Sequence, residues 1–415
     1  MPWHAADAAR HASSAELAQL LCDSRVRTLA LADAYVAALG EDLRIPFAVQ
    51  CNPPLWELGH LAWFQEFWLA RNPQRVRGVH ADPLHPRTAS RLAQADAWYD
   101  SSAVAHASRW HLPLPDWNAT RAYLVAGLQD TLSLLKGAGR EDADLYFFRL
   151  ALFHEDMHGE AAVYMAQALD IAIAPNLLRP LAQPQRSAAS SLRIDAITWQ
   201  LGSGAGADAA GGFVFDNELG SHRVAVPACA MDAAPVVWAQ YLPFVHAGGY
   251  ADAQWWTPEG WAWCQAQLKA QARPGPRYLR PAGAAHAWEQ LLFGQWQTLD
   301  LQASASHLSY FEAQAWCRWA GRLLPSEAQW EHAAMTRPDL RWGDVWEWTH
   351  STFNAYPGFV AHPYRDYSAP WFGSRRVLRG GSNATVGRMV HPRYRNFFTP
   401  ERNDVGAGFR SCVLL

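Results

Sequence analysis

The sequence predicts an α+β protein in two parts, a helical bundle and then an irregular region of short strands and loops. Three observations carry this reading. Four amphipathic segments rich in Ala and Leu lie before residue 171. A stretch rich in proline and serine, 173–192, separates them from the rest of the chain. Beyond it the helical period gives way to short alternating segments, and the chain's 22 tryptophans become denser. At 415 residues the chain also exceeds what one core ordinarily holds. The expected division is a bundle over 1–180 and a second domain over 190–415.

Each element has its own signal. Residues 14–40 carry apolar side chains at helical spacing, with Ser14 as the expected N-cap and Gly40 as the stop. Residues 54–71 form an amphipathic helix that opens on a proline and carries His60 between Leu58, Leu61 and Trp63. Prolines and polar runs break up 73–115, which reads as a long connection. Two further helices are expected over 116–136, capped by Asp116, and over 141–170. Four helices with one long connection suggest a four-helix bundle with one crossover. Past the linker, 197–202 and 212–218 alternate like short strands, and one clear helix is expected at about 309–320.

Composition narrows the function. The net charge of -3 offers no basic surplus for nucleic acid or anionic membrane. No apolar run is long enough to span a bilayer. Six scattered cysteines without a CxxC pair, and an N-terminus without a signal-peptide pattern, read as a cytoplasmic protein with reduced thiols. Oligomeric state leaves no mark on the sequence.

The chemistry gathers at His154-Glu155-Asp156-Met157-His158-Gly159-Glu160. Residues four apart on a helix share a face, so both imidazoles can reach one metal ion. A catalytic metal with open positions usually takes three protein ligands, and His60 on another helix of the bundle is the best third. Each histidine alone reads more readily as a structural residue than as a ligand; the i,i+4 pair with a third histidine on another helix of the bundle raises the ligand reading to equal weight. Three neutral imidazoles suit zinc, iron or copper alike. Glu160, six residues past His154, points roughly 120° away from it, which makes it a support or substrate-facing group and not a direct ligand. The same letters satisfy His-Glu-x-x-His, the zinc-peptidase motif with Glu155 as base. A non-catalytic binding module is the remaining alternative.

The second half carries longer strings: Arg322-Leu-Leu-Pro-Ser-Glu-Ala-Gln-Trp-Glu-His-Ala-Ala, Val345-Trp-Glu-Trp-Thr, Val377-Leu-Arg-Gly-Gly-Ser-Asn, Arg395-Asn-Phe-Phe and Gly408-Phe-Arg. These resemble the formylglycine-generating-enzyme or sulfatase-modifying-factor domain, a C-type-lectin-like fold. The first half resembles the DinB-like bundle, whose signature of a distant His plus His-x-x-x-His-x-Glu is met by His60, His154, His158 and Glu160. In this order the two resemble the ergothioneine sulfoxide synthases and their relatives, the selenoneine synthases. The resemblance covers nearly the whole chain. It implies that the three histidines hold non-haem iron, Fe(2+), and that O2 drives C–S or C–Se bond formation at imidazole C2 of hercynine. It does not imply formylglycine chemistry, which needs a reactive cysteine pair; Cys412 reads as a buried thiol. It demotes Glu155 to a helix-surface carboxylate.

Three departures favour the selenoneine branch. Met157 stands where the sulfur enzymes have a glutamine that contacts hercynine. Phe353 stands where they have a tyrosine near the iron, with Tyr356 matching their second tyrosine. Arg388 matches an arginine that binds the charged thiol donor, but no aspartate stands between it and Gly380-Gly381. A selenosugar donor would need fewer ionic partners than gamma-glutamylcysteine. The expected substrate contacts are Met157, Tyr356, Asn383, Arg388 and, from the long connection, Arg109; Trp371 could add an aromatic face for the trimethylammonium group.

Overall fold

The computed structural model describes residues 3–180, 191–204, 211–271, 275–283 and 287–415. The first half is helical: α1 (His4–Arg10), α2 (Ser14–Leu39), α3 (Pro54–Gln65), α4 (Ala95–Tyr99), α5 (Trp117–Lys136) and α6 (Asp142–Ala168). The four long helices are those the periodicity predicts. The cap of α2 is Ser13, not Ser14: its hydroxyl and backbone engage Glu16 in a reciprocal capping box. Gly40 ends α2 with φ +78°, a conformation that favours glycine. Pro54 opens α3, and Asp116 caps α5 through the Ala119 N–H. α3 runs on into a π-helical turn, Glu66–Ala70. The long connection is not structureless, for it holds α4 and two 3-10 turns, Arg75–His80 and His106–His111.

The second half holds α7 (Trp238–His246), α8 (Pro258–Gln271), α9 (Tyr310–Trp319) and α10 (Glu327–Thr336). Only α9 is expected from the sequence. α7 carries Pro243 in its interior, and α8 and α10 lack a clean apolar stripe, which hides all three. The strands are β1 (Ser191–Ile194), β2 (Ile197–Leu201), β3 (His222–Val226), β4 (Cys229–Asp232), β5 (Leu279–Pro281), β6 (Trp288–Leu292), β7 (Gln295–Thr298), β8 (Trp346–Thr352), β9 (Arg376–Gly380), β10 (Asn396–Phe398), β11 (Ala407–Gly408) and β12 (Cys412–Leu414). They form four small sheets, β1-β4-β12, β10-β9-β8-β11, β2-β3 and β5-β6-β7. The expected strand at 212–218 is absent. Phe213, Val214 and Phe215 are all buried in a row, with Phe213 N–H bonded to the Arg10 carbonyl, so this segment packs against the bundle as coil. Most of the proposed linker, 181–190, lies outside the described residues.

Short strands leave the second half dependent on buried ionic nodes. Glu327 accepts from Arg395 at 2.9 and 3.1 Å, from Arg379 at 3.0 Å and from the Tyr356 hydroxyl at 3.1 Å. Glu347 accepts from Arg410 and from the Trp330 indole at 2.9 Å. Such charges stay inside only because each is paired and hydrogen-bonded. One continuous apolar cluster runs from Ala9 to Phe409 and joins the two halves. Among the described residues no helix is long and apolar enough to cross a membrane.

One buried carboxyl makes stability depend on pH. Glu312, in the capping box of α9, accepts from Ser309 N–H at 2.7 Å and from the Tyr250 hydroxyl at 2.6 Å. Burial pushes its carboxyl up from 4.5 to about 7. The folded state thus keeps a proton that the unfolded chain has released, and stability falls as pH rises from about 4.5 through 7. The full effect is about 3 kcal/mol. Glu312→Gln keeps the acceptor for Ser309 and donates to Tyr250, whose proton turns to Tyr241. We predict that thermal unfolding of the wild type weakens relative to Glu312→Gln between pH 5 and 8; a constant offset between the two across that range contradicts the account.

Candidate metal centre

Two helices build the centre. His154 and His158 project from one face of α6 towards α3, where His60 meets them. One ring nitrogen from each lies within 4.8 Å of the others. The ring centroids are 5.1 Å (His60–His154), 5.0 Å (His60–His158) and 4.4 Å (His154–His158) apart.

Hydrogen bonding fixes which nitrogens converge. His60 Nδ1 lies 2.8 Å from the Tyr99 carbonyl, and His158 Nδ1 lies 2.5 Å from Glu57 Oε2. Neither oxygen can donate, so both Nδ1 atoms carry the proton and both Nε2 atoms offer lone pairs. Burial would raise the Glu57 carboxyl, but the adjacent His158 ring overrides this and holds it at about 2, so Glu57 is ionised. His154 Nε2 is buried and has no hydrogen-bond partner. Burial, reinforced by the neighbouring rings, lowers His60 to about 3 and pushes His154 well below its usual range. Three converging imidazoles, one with a buried and orphaned nitrogen, fit a metal ion. Three nitrogen donors leave further positions for substrate.

Aromatic packing holds the rings in place. Phe64 stacks on His154 at 3.5 Å and 3°, and Trp56 stacks on His60 at 5.0 Å and 8°. Gly59 lets the Tyr99 ring approach; a Cβ there would fall 2.3 Å from it. His60 and His154 are both 2% exposed, whereas the His158 side chain is 21% exposed, so the centre opens at His158. Tyr364 stands T-shaped 5.8 Å from His154. It stacks with Tyr367 at 6.0 Å, the Tyr367 and Tyr394 hydroxyls lie 3.0 Å apart, and Tyr394 donates to Met157 Sδ at 3.4 Å. An arc of three tyrosines thus runs from His154 round to Met157.

Several expected site residues stand elsewhere. Glu155 is not on the surface: it is buried against α2, held by Arg25 at 2.7 and 3.0 Å and by Thr28 at 2.8 Å. Ion-paired to Arg25 and turned to α2, it is not placed to act as a peptidase base. Glu160 does not support a histidine; it accepts from the Trp346 indole at 2.5 Å and faces the second half. Arg388 is neither solvated nor free for a substrate. It pairs with Asp156 through two bonds of 2.6 Å. Asp156 lies about 200° around α6 from each of the paired histidines. Tyr356 is locked among Glu327, Arg379 and Arg395. Phe353 is fully buried and stacks on Phe397 at 4.0 Å. The Asn383 carbonyl accepts from the Arg179 N–H at 2.7 Å, which ties it to the junction of the two halves. Trp371 is 37% exposed beneath Arg375. Arg109 does reach the neighbourhood of the centre, stacked 3.9 Å over Trp56 and bonded to Asn52 at 2.8 Å. Of the expected substrate contacts, Met157 joins the tyrosine arc through Tyr394 and Arg109 stacks beside the centre, while the others are held elsewhere.

The sequence reading missed Glu57, Tyr364 and the Arg25–Glu155 pair. Glu57 had a signal, since it stands three residues before His60 and so shares its face. Tyr364 also had one, since Pro363-Tyr364-Arg-Asp-Tyr367 repeats the spacing assigned above to Phe353 and Tyr356, and the fold shows that this second pair lies beside α6.

Removing one partner of a buried ion pair strands the other charge, at about 3–5 kcal/mol. We predict that Arg388→Ala and Asp156→Ala each destabilise by that amount in denaturant unfolding, and that the double variant recovers part of the loss. Single variants with unchanged stability contradict the assignment.

Both halves of the chain have counterparts among known proteins. The family described as "Sulfatase-modifying factor enzyme 1-like domain" matches residues 180–342 and 339–414. A hercynine oxygenase of Mycolicibacterium thermoresistibile is 30% identical over 451 residues, covering 95% of this chain and 94% of the relative. A hercynine oxygenase of Mycobacterium tuberculosis is 30% identical over 445 residues, covering 96% and 98%. The formylglycine-generating enzyme of Streptomyces coelicolor is 26% identical over 302 residues, 56% of this chain and 91% of that enzyme. Because the hercynine oxygenases align along nearly their whole length, bundle and second half together, this chain belongs to the hercynine oxygenase family and carries its sulfatase-modifying-factor-type domain.

Proposed function

We propose that this protein is a non-haem iron(II) enzyme that uses O2 to join selenium to imidazole C2 of hercynine, taking the selenium from a selenosugar and giving selenoneine. His60, His154 and His158 hold the iron. The bundle, 1–180, supplies the ligands, and 190–415 shapes the pocket above them. The observation that carries the metal reading is the convergence of three imidazoles, with His154 Nε2 buried and unpartnered. Relatives named hercynine oxygenase support hercynine as the substrate.

Bound iron supplies the redox chemistry with dioxygen. The chain's own residues do the rest. The rings of Trp56 and Phe64 hold two imidazoles in fixed planes and exclude water from that side. The arc of Tyr364, Tyr367 and Tyr394 offers π faces to the trimethylammonium group, which cannot accept or donate a conventional hydrogen bond. Burial pushes the Tyr364 phenol up, so it stays protonated at neutral pH. Tyr364, T-shaped 5.8 Å from His154, is the phenol assigned the proton-donating role beside the centre.

One fact supports selenium over sulfur. Arg388, the arginine that the resemblance matches to a donor carboxylate, is consumed by Asp156. A donor that presents hydroxyls in place of carboxylates suits such a pocket. The alternative is C–S bond formation giving hercynylcysteine sulfoxide, the reaction expected of the family's sulfur branch.

The test is an O2-dependent assay of the iron-loaded protein with hercynine and competing donors: a selenosugar, gamma-glutamylcysteine and cysteine. We predict selenoneine as the main product by mass spectrometry. Preferred use of a thiol overturns the selenium reading, and no turnover of hercynine with any donor overturns the substrate. Tyr364→Phe should lower turnover by about 100-fold or more with hercynine binding little changed. Full turnover in that variant removes Tyr364 from the reaction.

A further inference from the structure

Three histidines bring no negative charge to a divalent ion, so the triad by itself leaves the ion's charge uncompensated. The acids of α6 give no help. Glu155 is paired with Arg25, Asp156 with Arg388, and Glu160 faces Trp346. Among the described residues, Glu57 is the carboxylate that touches a ligand. It stands on the same face of α3 as His60 and accepts the Nδ1 proton of His158 from α6 at 2.5 Å. It thereby cross-links the two helices that carry the ligands.

Glu57 is itself held from behind. The Asn52 amide donates to Glu57 Oε1, and Asn52 Oδ1 accepts from Arg109 Nη1 at 2.8 Å. Arg109 is anchored in the long connection, where it donates to the Val104 carbonyl at 3.1 Å. Its guanidinium lies 3.9 Å over Trp56, and Trp56 stacks on His60. Two routes therefore run from Arg109 to the centre, one through Asn52 and Glu57 to His158, the other through Trp56 to His60.

We infer that Glu57 is the positioning residue that sets the affinity and redox potential of the metal, with Asn52 and Arg109 fixing its carboxylate. This rests on the three-histidine metal reading proposed for the centre. A carboxylate on the far nitrogen strengthens the imidazole as a donor and locks its orientation. It also adds a negative charge close to the ion, which favours the more oxidised state and lowers the potential. Arg109, expected from the sequence to touch substrate, acts here through two other side chains.

The test measures iron(II) affinity by anaerobic competition with a chromophoric chelator, and the ferric/ferrous potential by redox titration. Both are read on the full-length wild type, Glu57→Gln, Glu57→Asp and Asn52→Ala, with circular dichroism to establish that each is folded. Glu57→Gln keeps the shape and removes the charge; it should weaken iron binding by about 10–100-fold and raise the potential. Glu57→Asp keeps the charge and should restore the potential towards that of the wild type. Asn52→Ala should weaken binding by less than Glu57→Gln, and it carries the test if Glu57→Gln does not fold. Folded Glu57→Gln with wild-type affinity and potential overturns the inference while leaving the metal site intact. A wild type that binds no iron overturns both.

Discussion

The structure depends on the burial of α6 on every side. A 27-residue helix wrapped by its own bundle and by the second half leaves no polar residue to solvent over 154–156, so each must find a partner inside. The solutions differ by face. One face turns His154 and His158 to α3 and leaves their Nε2 atoms for a metal. The next turns Glu155 to Arg25 on α2. The opposite face turns Asp156 to Arg388 and Glu160 to Trp346, and so seats the second half on the bundle. One short stretch of sequence thus carries two of the proposed metal ligands, a bundle brace and a domain contact, separated only by rotation about the helix axis.

That rotation explains what was legible. Helical spacing alone is enough to pair His154 with His158, and a histidine on an apolar helix face is enough to nominate His60. Spacing also turns Glu160 away from the pair. Spacing does not say what lies opposite each face. Arg388 therefore reads as a substrate contact or a surface residue when its partner is an acid more than two hundred positions earlier. Glu57 shares a face with His60, a local signal open to anyone who asks what His158 bonds to. Tyr364 sits in a loop; its spacing to Tyr367 repeats that of Phe353 and Tyr356, and the packed fold brings it to His154.

The second half obeys a different constraint. Its strands are short and its sheets small, so register and hydrophobic alternation say little, and its long motif strings are more telling. Those strings turn out to be structural. Glu327, Glu331 and Trp330 of one string meet Arg379 and Glu347 of two others around buried ionic nodes. Tyr356 and Phe353 belong to this scaffold and not to the pocket wall. The proposed wall is instead the arc of Tyr364, Tyr367 and Tyr394, which runs from His154 to Met157.

The most direct test of the account is anomalous X-ray diffraction at the iron edge from crystals of protein loaded anaerobically with iron(II). The account predicts one peak within bonding distance of an imidazole nitrogen from each of His60, His154 and His158, with no carboxylate bound. A peak ligated by Glu155 or Glu160, or iron found only away from these histidines, contradicts it.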